Sequence, residues 1–375
     1  MKIGFNGYFL TKPFTGIGQY SKNILLNLSK LYPEDSFVVS LIDPLPEDLI
    51  FEYPTNVSFQ LLEPKFTSIA SISKLYWEQF QQVKFFEEQG VEWAFYPYLS
   101  NPWRNVNFKC LTTIHDTIPW QDKSYQQSFR SKVLHYFNAK FANKSDKILT
   151  VSNTSKESLV KDLKIPAEKI TVIYNGVGPE FAENYSQEQN SSVISRFSVA
   201  PSKFFLYCGG YDKRKNVGLL IQAYEKYQKS VDNPLPLLLV GKALFDNKLY
   251  SKIPDDNPQI RSTGVLSSED LAILYRQSRA FLNFSSNEGF NIPLMEAIFS
   301  GTEIVLSDIP VHHEVSEGYP LRNFIDPKNI EKNAEIFKKL AESEPQKVST
   351  DIIQDFTKKF SWQKAAEIIR LLHVK

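Results

Sequence analysis

The sequence predicts an α/β protein built from two domains, each with a parallel sheet covered by helices. Three observations lead to this prediction: short apolar runs alternate with longer helix-like segments, the alternation breaks once, and 375 residues suffice for two domains. The strand-like runs cover residues 3–6, 37–41, 93–96, 110–114, 147–151, 170–173, 204–208, 237–240, 280–283 and 303–306. The helix-like patterns between them cover residues 20–31, 130–143, 156–163, 217–230 and 268–278.

One polar segment interrupts this alternation. Residues 181–201 are rich in Ser, Asn and Gln, and a new strand, glycine turn and helix follow them. We interpret the segment as a linker, which predicts one domain over residues 1–183 and another over residues 184–360. Residues 361–375 predict a last helix, which must dock on another element because so short a helix is unstable alone. Its apolar face consists of Ala365, Ala366, Ile369 and Leu372.

The composition argues against several classes of protein. The net charge of +1 gives no overall field to attract nucleic acid, and the hydrophobic fraction of 42% is that of a folded protein. No run approaches the ~20 apolar residues that cross a bilayer, and no leader precedes the first strand. We therefore expect a soluble, cytoplasmic protein. A group of basic residues leaves peripheral contact with the inner face of the membrane open, although a solvated helix explains it as well: Arg130, Lys132, Lys140, Lys144 and Lys147.

The sequence offers no recognisable metal site. It contains no Asp-x-Asp pair to hold a divalent ion on a diphosphate, and the run His312-His313-Glu314 is too compressed to bind zinc. Cys110 and Cys208 are the only cysteines, and both lie in apolar strand-like runs. We expect no cofactor and no metal, and two buried thiols in a reducing compartment, with a disulfide between them as the alternative.

Two motifs in the predicted N-terminal domain follow strands. The glycines of Gly16-Ile17-Gly18 open a helix pattern, where they would let the backbone approach a ligand, although a plain turn explains them equally. His115 and Asp116 follow a later strand-like run. Because ligands of open α/β sheets bind at the carboxyl ends of strands, His115 is a candidate site residue and Asp116 a further one.

The third motif joins a strand to a helix in the second domain. Gly209-Gly210 makes a tight turn, and Arg214 and Lys215 follow it before a helix pattern begins. A helix start, a guanidinium and an ammonium supply what a diphosphate needs: backbone donors, a bidentate fork and a point charge. The alternative is a solvated basic loop. We favour phosphate binding because the glycines and the cations share one strand–helix junction.

The fourth motif places two carboxylates around a helix start. Glu288 precedes the run Gly289-Phe290-Asn291-Ile292-Pro293, and Glu296 lies one turn into a predicted helix that Gly301 ends. The amides of residues 289–292 predict a helix start that binds an anion. Glu296 suits a ribose diol, since one carboxylate can accept from two hydroxyls, and Glu288 suits the hydroxyls of a sugar.

In this order and spacing, the four motifs resemble the family 4 retaining glycosyltransferases, whose fold is called GT-B. The resemblance extends over nearly the whole chain, and Glu288-x7-Glu296 is its most specific part. The run Phe360-Ser361-Trp362 resembles the point at which the family's last helix crosses back to the N-terminal domain. The implied architecture is two Rossmann-like parallel-sheet domains that face a central cleft.

The resemblance also implies a role for each candidate. Arg214 and Lys215 would bind the donor diphosphate and stabilise the departing nucleotide, while Glu296 would hold the ribose. Glu288 and the amides after it would hold the donor sugar, and His115 would contact that sugar near its anomeric centre. The implied catalytic residues are His115, Arg214, Lys215 and Glu288. The implied donor-binding residues are Gly16, Gly18, Gly210, Arg214, Lys215, Glu288, Gly289, Phe290, Asn291, Ile292 and Glu296.

The implied reaction is metal-independent transfer of a hexose, with retention, from a nucleotide-diphosphate sugar to a saccharide or lipid-linked acceptor in polysaccharide biosynthesis. UDP-glucose and GDP-mannose fit the motifs equally, and only its frequency in such families favours UDP-glucose. Because no side chain stands out as a nucleophile, the resemblance favours front-face attack, in which the departing phosphate accepts the acceptor's proton. Two other functions stay open: a nucleotide-sugar epimerase of the same architecture, and a non-catalytic subunit that binds a nucleotide or a sugar.

Overall fold

The computed structural model describes residues 1–13, 15–65, 70–122, 129–241 and 257–374. By its internal contacts the chain divides into two compact units, each with its own sheet and core. The first unit consists of Met1–Gly176 and Ser361–Lys375, and the second consists of Val177–Phe360. The first crossing between the units therefore falls a few residues before the boundary at residue 183 that the sequence suggested.

The described part of the first unit contains one parallel sheet of seven strands. They are β1 Lys2–Asn6, β2 Ser36–Leu41, β3 Val57–Leu61, β4 Trp93–Tyr96, β5 Lys109–Thr113, β6 Lys147–Thr150 and β7 Ile170–Val172, and their order across the sheet is β3-β2-β1-β4-β5-β6-β7. The central strands are apolar because helices cover both faces of a parallel sheet: Phe5 is fully buried and lies opposite Val39 and Phe95. The helices are α1 Gly16–Leu31, α2 Glu47–Phe51, α3 Ala70–Tyr76, α4 Gln82–Glu88, α5 Ile118–Gln121, α6 Phe129–Ala142 and α7 Asn153–Leu163, with a π-helical turn at Trp77–Gln81.

In the second unit, six strands of the described chain form another parallel sheet. They are β8 Phe205–Cys208, β9 Leu237–Val240, β10 Ile260–Gly264, β11 Ala280–Asn283, β12 Ile304–Ser307 and β13 Arg322–Ile325, in the order β10-β9-β8-β11-β12-β13. The helices are α8 Gln187–Arg196, α9 Val217–Gln228, α10 Ser268–Gln277, α11 Ile292–Phe299, α12 Pro310–Val315, α13 Ile330–Glu342 and α14 Thr350–Lys359. The direction of the strand order reverses between β8 and β11, and such a switch point is where open α/β sheets bind ligands.

The ten runs predicted as strands are all strands, to within one residue at either end. The sequence did not predict β3, β10 and β13. All three lie at an edge of their sheet and are at least partly exposed, so their sequences lack the continuous apolar run that marks a strand covered on both faces.

The polar segment 181–201 is not a linker, and this expectation was wrong. It contains the helix α8, which begins with a capping box between Ser186 and Gln189 and lies within the second unit. Val193 and Ile194 are its only buried residues, so a single short apolar stripe holds the helix on its unit while the rest of its sequence stays polar.

The last helix, α15 Trp362–Val374, belongs to the first unit and packs on α1, which confirms that it docks. Ala365, Ala366 and Ile369 of the predicted apolar face are buried. At its start a Cβ on Gly176 would lie 2.3 Å from the backbone nitrogen of Trp362, so only glycine allows this close approach. In the part of the chain that the structure describes, none of the helices combines the length and the apolar character needed to span a membrane.

Candidate active site

The second unit brings two loops together at the switch point of its sheet. One loop follows β8 and contains Gly209, Gly210 and a 3₁₀ turn at Lys213–Lys215. The other follows β11 and leads through Glu288 into α11. The backbone amide of Ser286 donates to the carbonyl of Arg214 over 2.7 Å, so the two loops are joined directly.

Glu288 is the centre of a buried charge cluster. Its Oε2 lies 2.5 Å from Nη1 of Arg214, and its Oε1 accepts from Nζ of Lys215 and, over 2.7 Å, from the hydroxyl of Ser285. Burial alone would raise the pKa of Glu288, but the two cations and these hydrogen bonds outweigh it and lower the pKa to about 2. Glu288 is therefore a carboxylate at neutral pH.

Arg214 is the most accessible member of this cluster. Its side chain is 22% exposed, against 9% for Lys215 and 6% for Glu288. Arg214 also donates to the carbonyl of Asn287 over 3.1 Å and pairs with Asp212 over 3.0 Å. Two carboxylates thus balance the two cations, so any anion that approached the guanidinium would have to compete with Asp212 and Glu288.

The turn around the cations depends on residues that tolerate positive φ. Asn216 ends the 3₁₀ turn with φ 51°, and its side-chain amide donates to the carbonyl of Phe284 over 2.9 Å. Gly209 has φ +149°, whereas a Cβ on Gly210 would meet only Asp212, at an ordinary 3.5 Å. The fold of the chain therefore explains the glycine at 209 but does not require the glycine at 210.

The start of α11 has the geometry predicted for it. Asn291 precedes the helix with φ 78°, Pro293 lies in its first turn, and Gly301 ends it with φ +72°. The carbonyl of Asn291 accepts from the amides of Leu294 and Met295, which closes the first turn. The run from Gly289 to Ile292 is thus held at the carboxyl edge of the sheet, next to the charge cluster.

Glu296 lies one turn further along α11 and is half-buried. The hydroxyl of Tyr275, on α10, donates to its Oε2 over 3.1 Å. Burial raises the pKa of Glu296 to about 7; the bond from Tyr275 opposes this rise and the charge of Glu180 adds to it. This carboxyl therefore titrates near neutral pH, unlike Glu288.

In the first unit, His115 follows β5 and is a neutral imidazole. Its Nε2 lies 2.8 Å from the carbonyl of Pro97, which can only accept, so Nε2 carries the hydrogen. Burial lowers its pKa to about 4, against the opposing effect of that hydrogen bond. The ring of Tyr20 packs edge-on against it, with the ring centroids 4.8 Å apart. His115 is therefore fitted to make hydrogen bonds and not to carry a charge.

Asp116 orders the turn after His115. Its Oδ1 accepts from the amide of Ile118 over 2.9 Å, at the start of α5. This contact gives Asp116 a structural role in the local turn.

The two glycines of the N-terminal loop differ in what they do. Thr15 caps α1, and its Oγ1 accepts from the amide of Gly18 over 3.0 Å. A Cβ on Gly18 would lie 2.0 Å from the carbonyl oxygen of Lys12, so packing within the chain requires this glycine. A Cβ on Gly16 would meet none of the described atoms within 4 Å, so the space beside Gly16 is open.

Within each unit the structure groups the predicted candidates. In the second unit Arg214, Lys215 and Glu288 are in contact, and Gly210, residues 289–292 and Glu296 lie on the same two loops and the helix that follows. In the first unit His115 contacts Tyr20 of the helix that Gly16 and Gly18 begin.

Sequence reasoning missed several residues that support these candidates. Asp212 lies between Gly210 and Arg214, and Ser285 lies shortly before Glu288, so each is close in sequence to the residue that it contacts. Tyr275 and His312 come from other helices, and no local pattern connects either one to the carboxylate or amide that it contacts. Only the packing of these helices reveals the relationship.

Two family models match the chain. Residues 194–358 match glycosyl transferases group 1, and residues 89–181 match Glycosyltransferase Family 4. Together these regions cover about two thirds of the chain and parts of both units.

Similar proteins include O-antigen enzymes. O-antigen chain mannosyltransferase B of Escherichia coli is 23% identical over 384 residues, covering 97% of each chain. O-antigen chain mannosyltransferase RfbU of Salmonella typhimurium is 33% identical over 207 residues, covering 54% of this chain and 53% of its own.

Solved structures with the same fold cover the chain from end to end. Anabaena HepE, in complex with UDP and glucose, has a TM-score of 0.75 at 16% identity, with 99% of each chain covered. WaaG, a glycosyltransferase involved in lipopolysaccharide biosynthesis, has a TM-score of 0.74 at 15% identity, with 98% of this chain and 99% of its own covered. These structures show that the chain has the GT-B fold, in agreement with its two parallel sheets, and the two family matches show that it belongs to the family 4 glycosyltransferases.

Proposed function

We propose that this glycosyltransferase transfers mannose from GDP-mannose to a saccharide or lipid-linked acceptor in the biosynthesis of a polysaccharide. The observation that carries the donor site is the pair of cations Arg214 and Lys215, which contacts Glu288 in the loop that leads into α11, at the switch point of the second sheet. A nucleoside diphosphate is the ligand that such an arrangement recognises.

The relatives support mannose as the transferred sugar. Both O-antigen relatives named above are mannosyltransferases, and one of them aligns with nearly the whole chain. UDP-glucose, which the sequence favoured only by frequency, is the second candidate donor. Its support is the likeness to HepE, whose structures include a complex with UDP-glucose.

In the proposed reaction, the bond between the anomeric carbon and the diphosphate breaks and a bond to the acceptor oxygen forms on the same face of the sugar. The acceptor's proton passes to the departing phosphate oxygen. Negative charge grows on that phosphate, and Arg214, Lys215 and the start of α11 would stabilise it without a metal. Glu296 would accept from the ribose hydroxyls, and neutral His115 would hydrogen-bond to the sugar.

Arg214 is the residue that this proposal tests most directly. Because the side chain of Arg214 is partly exposed, it can exchange Asp212 and Glu288 for phosphate oxygens. Lys215, in contrast, stays buried against Glu288. Arg214→Ala should weaken donor binding roughly 10- to 100-fold, because a charge-assisted hydrogen bond contributes about 1.5–3 kcal/mol. Lys213→Ala is the matched control, since Lys213 is the exposed neighbour in the same turn.

The experiment measures the melting temperature with GDP-mannose, UDP-glucose, GDP and UDP, followed by transfer assays with each sugar nucleotide. A ligand that binds only the folded state raises the melting temperature, so the guanine nucleotides should shift it most in the wild type and in Lys213→Ala. A larger shift with the uridine nucleotides would indicate UDP-glucose as the donor and would leave the proposed sugar transfer unchanged. No shift with any nucleotide, or an unchanged shift in Arg214→Ala, would overturn the proposed site. Turnover of the sugar nucleotide to an epimer without acceptor would indicate an epimerase instead.

A further inference from the structure

His312 is a fully buried histidine that the proposed mechanism does not use. It lies on α12, which follows β12, and its exposed fraction is 0%. Its neighbour His313 is half exposed and pairs with Asp308. The two histidines therefore have different surroundings although they are adjacent in the sequence.

The hydrogen bonds of His312 fix both of its ring nitrogens. Nδ1 lies 2.8 Å from the carbonyl oxygen of Ser307, which can only accept, so Nδ1 carries the hydrogen. Burial lowers the pKa of His312 to about 4, so the ring is neutral and Nε2 is an acceptor. Nε2 lies 2.9 Å from the side-chain nitrogen of Asn291, which donates to it. His312 thereby determines which way the amide of Asn291 points.

Ser307, which accepts from His312 through its carbonyl, is also linked through its hydroxyl to the charge cluster around Glu288. The hydroxyl of Ser307 donates to the carbonyl of Ser285, and the hydroxyl of Ser285 donates to Oε1 of Glu288 over 2.7 Å. Ser285 and Ser307 have no exposed surface, and Asn291 and Glu288 are also buried. One buried network therefore connects the end of β12 to both ends of the loop between Glu288 and Asn291.

Asn291 needs such support because of its backbone. Its φ of 78° is a left-handed conformation that costs energy for any residue with a side chain, and the surroundings must impose it. The same backbone turn sets the direction of the amides at the start of α11. A side chain that fixes Asn291 consequently fixes the part of the loop next to the proposed donor site.

We infer that His312 is a positioning residue for the donor sugar, acting through its hydrogen bond to Asn291 on the amides at the start of α11. That those amides bind the donor sugar rests on the proposed function. The hydrogen bond between His312 and Asn291 does not depend on it, so the two claims can be tested separately.

Two substitutions of His312 separate the hydrogen bond of Nδ1 from that of Nε2. The amide of His312→Asn takes the place of Nδ1 and can still donate to Ser307, but it cannot reach Asn291. The amide of His312→Gln reaches the place of Nε2 and can still accept from Asn291. Donor KM should rise roughly fivefold in His312→Asn, the loss expected for one buried hydrogen bond, and less than twofold in His312→Gln. His313→Asn is the matched control and should leave KM unchanged.

A double-mutant cycle tests whether the effect passes through Asn291. Asn291→Gly removes the amide and keeps the left-handed backbone without strain, so it should raise donor KM by itself. His312→Asn should add nothing to Asn291→Gly, because the partner is already gone. Independent, multiplying effects would overturn the inference, as would equal donor KM values for the Asn and Gln variants of His312.

Hydrogen exchange gives a readout that needs no substrate. In His312→Asn, exchange should accelerate in the segment 286–294 and stay unchanged in β8 and β9 of the same unit. His312→Gln should exchange like the wild type in both places. Faster exchange throughout the second unit in both variants would show that His312 only stabilises the fold and would overturn the inference. Wild-type protein that binds no nucleotide would reject the proposed function, and this exchange pattern would still decide whether His312 holds the loop.

Discussion

The hydroxyl of Tyr275 lies 3.1 Å from Oε2 of Glu296, so a residue of α10 holds the carboxyl group of α11 that is proposed to bind the ribose. Tyr275 is fully buried, and burial raises its pKa well above 10, which keeps its hydroxyl a donor at all physiological pH values. The carboxyl group of Glu296 is thereby aimed by a neighbouring helix as well as by its own.

Tyr275→Phe should weaken donor binding without abolishing transfer. The substitution removes one hydroxyl and leaves the ring in place, so the loss should be about 1 kcal/mol, or about fivefold in donor KM, with kcat little changed. Tyr224→Phe is the matched control, because the hydroxyl of Tyr224 is buried and donates to the carbonyl of Leu235, away from the proposed site. Steady-state kinetics with varied donor concentration gives the donor KM of both variants. Equal values in Tyr275→Phe and Tyr224→Phe would contradict the role given to Tyr275.

Donor affinity should rise with pH through neutrality. The pKa of Glu296 is raised to about 7, first by burial and then by the charge of Glu180, against the bond from Tyr275. Below pH 7 the folded protein holds a proton on this carboxyl, and ribose hydroxyls meet a weaker acceptor than the carboxylate present above pH 7. Donor KM should therefore fall between about pH 6 and pH 8. Glu296→Gln should bind donor less tightly and should lose this pH dependence, and an unchanged slope in that variant would assign the titration to another group.

Glu288→Gln should destabilise the second unit. The substitution leaves the buried ammonium of Lys215 without its carboxylate, and breaking a buried ion pair costs about 3–5 kcal/mol. Glu331→Gln is the control, since Glu331 pairs with Lys226 at an exposed site, where a loss of less than about 1 kcal/mol is expected. Urea unfolding gives both values.

The stability of Glu288→Gln should also depend on pH and on added nucleotide in a characteristic way. The pKa of Glu288 is lowered to about 2, so its contribution is complete above the ordinary carboxyl pKa of 4.5 and is lost as the pH falls toward 2. The gap in stability between wild type and Glu288→Gln should close over that range. Added nucleoside diphosphate should stabilise Glu288→Gln more than the wild type, because its anion no longer competes with a carboxylate. A variant as stable as Glu331→Gln would show that Glu288 does not hold the cations.

Gly18→Ala should destabilise the protein, whereas Gly16→Ala should not. A methyl group at 18 would lie 2.0 Å from the carbonyl of Lys12, so Gly18→Ala should lower the free energy of unfolding by about 1–3 kcal/mol. A methyl group at 16 has open space, so Gly16→Ala should keep or improve stability and should raise KM only if a substrate approaches there. Melting temperatures and kinetics of both variants check this. Normal activity in Gly16→Ala would remove Gly16 from the proposed site.

Much of this protein could be predicted from its sequence because the relevant signals are local. Central strands such as β8 and β11 are covered on both faces and read as continuous apolar runs, and the start of α11 carries Pro293 inside the helix and Gly301 after it. Local signals failed where burial is partial. The edge strand β13 and the helix α8 bury too few side chains to stand out from loops.

The sequence by itself determined the alternation of strands and helices and the chemical kind of each candidate residue, since both depend on side-chain type and spacing along the chain. Only the tertiary structure decided the charge state and direction of those residues. Glu288 and Glu296 are the same residue type eight positions apart, yet the pKa of one is lowered to about 2 and that of the other is raised to about 7. The reason is that packing decides what surrounds each carboxyl group. Two cations from the loop after β8 outweigh the effect of burial on Glu288, whereas burial raises the pKa of Glu296 and the hydroxyl of Tyr275 offsets only part of that rise.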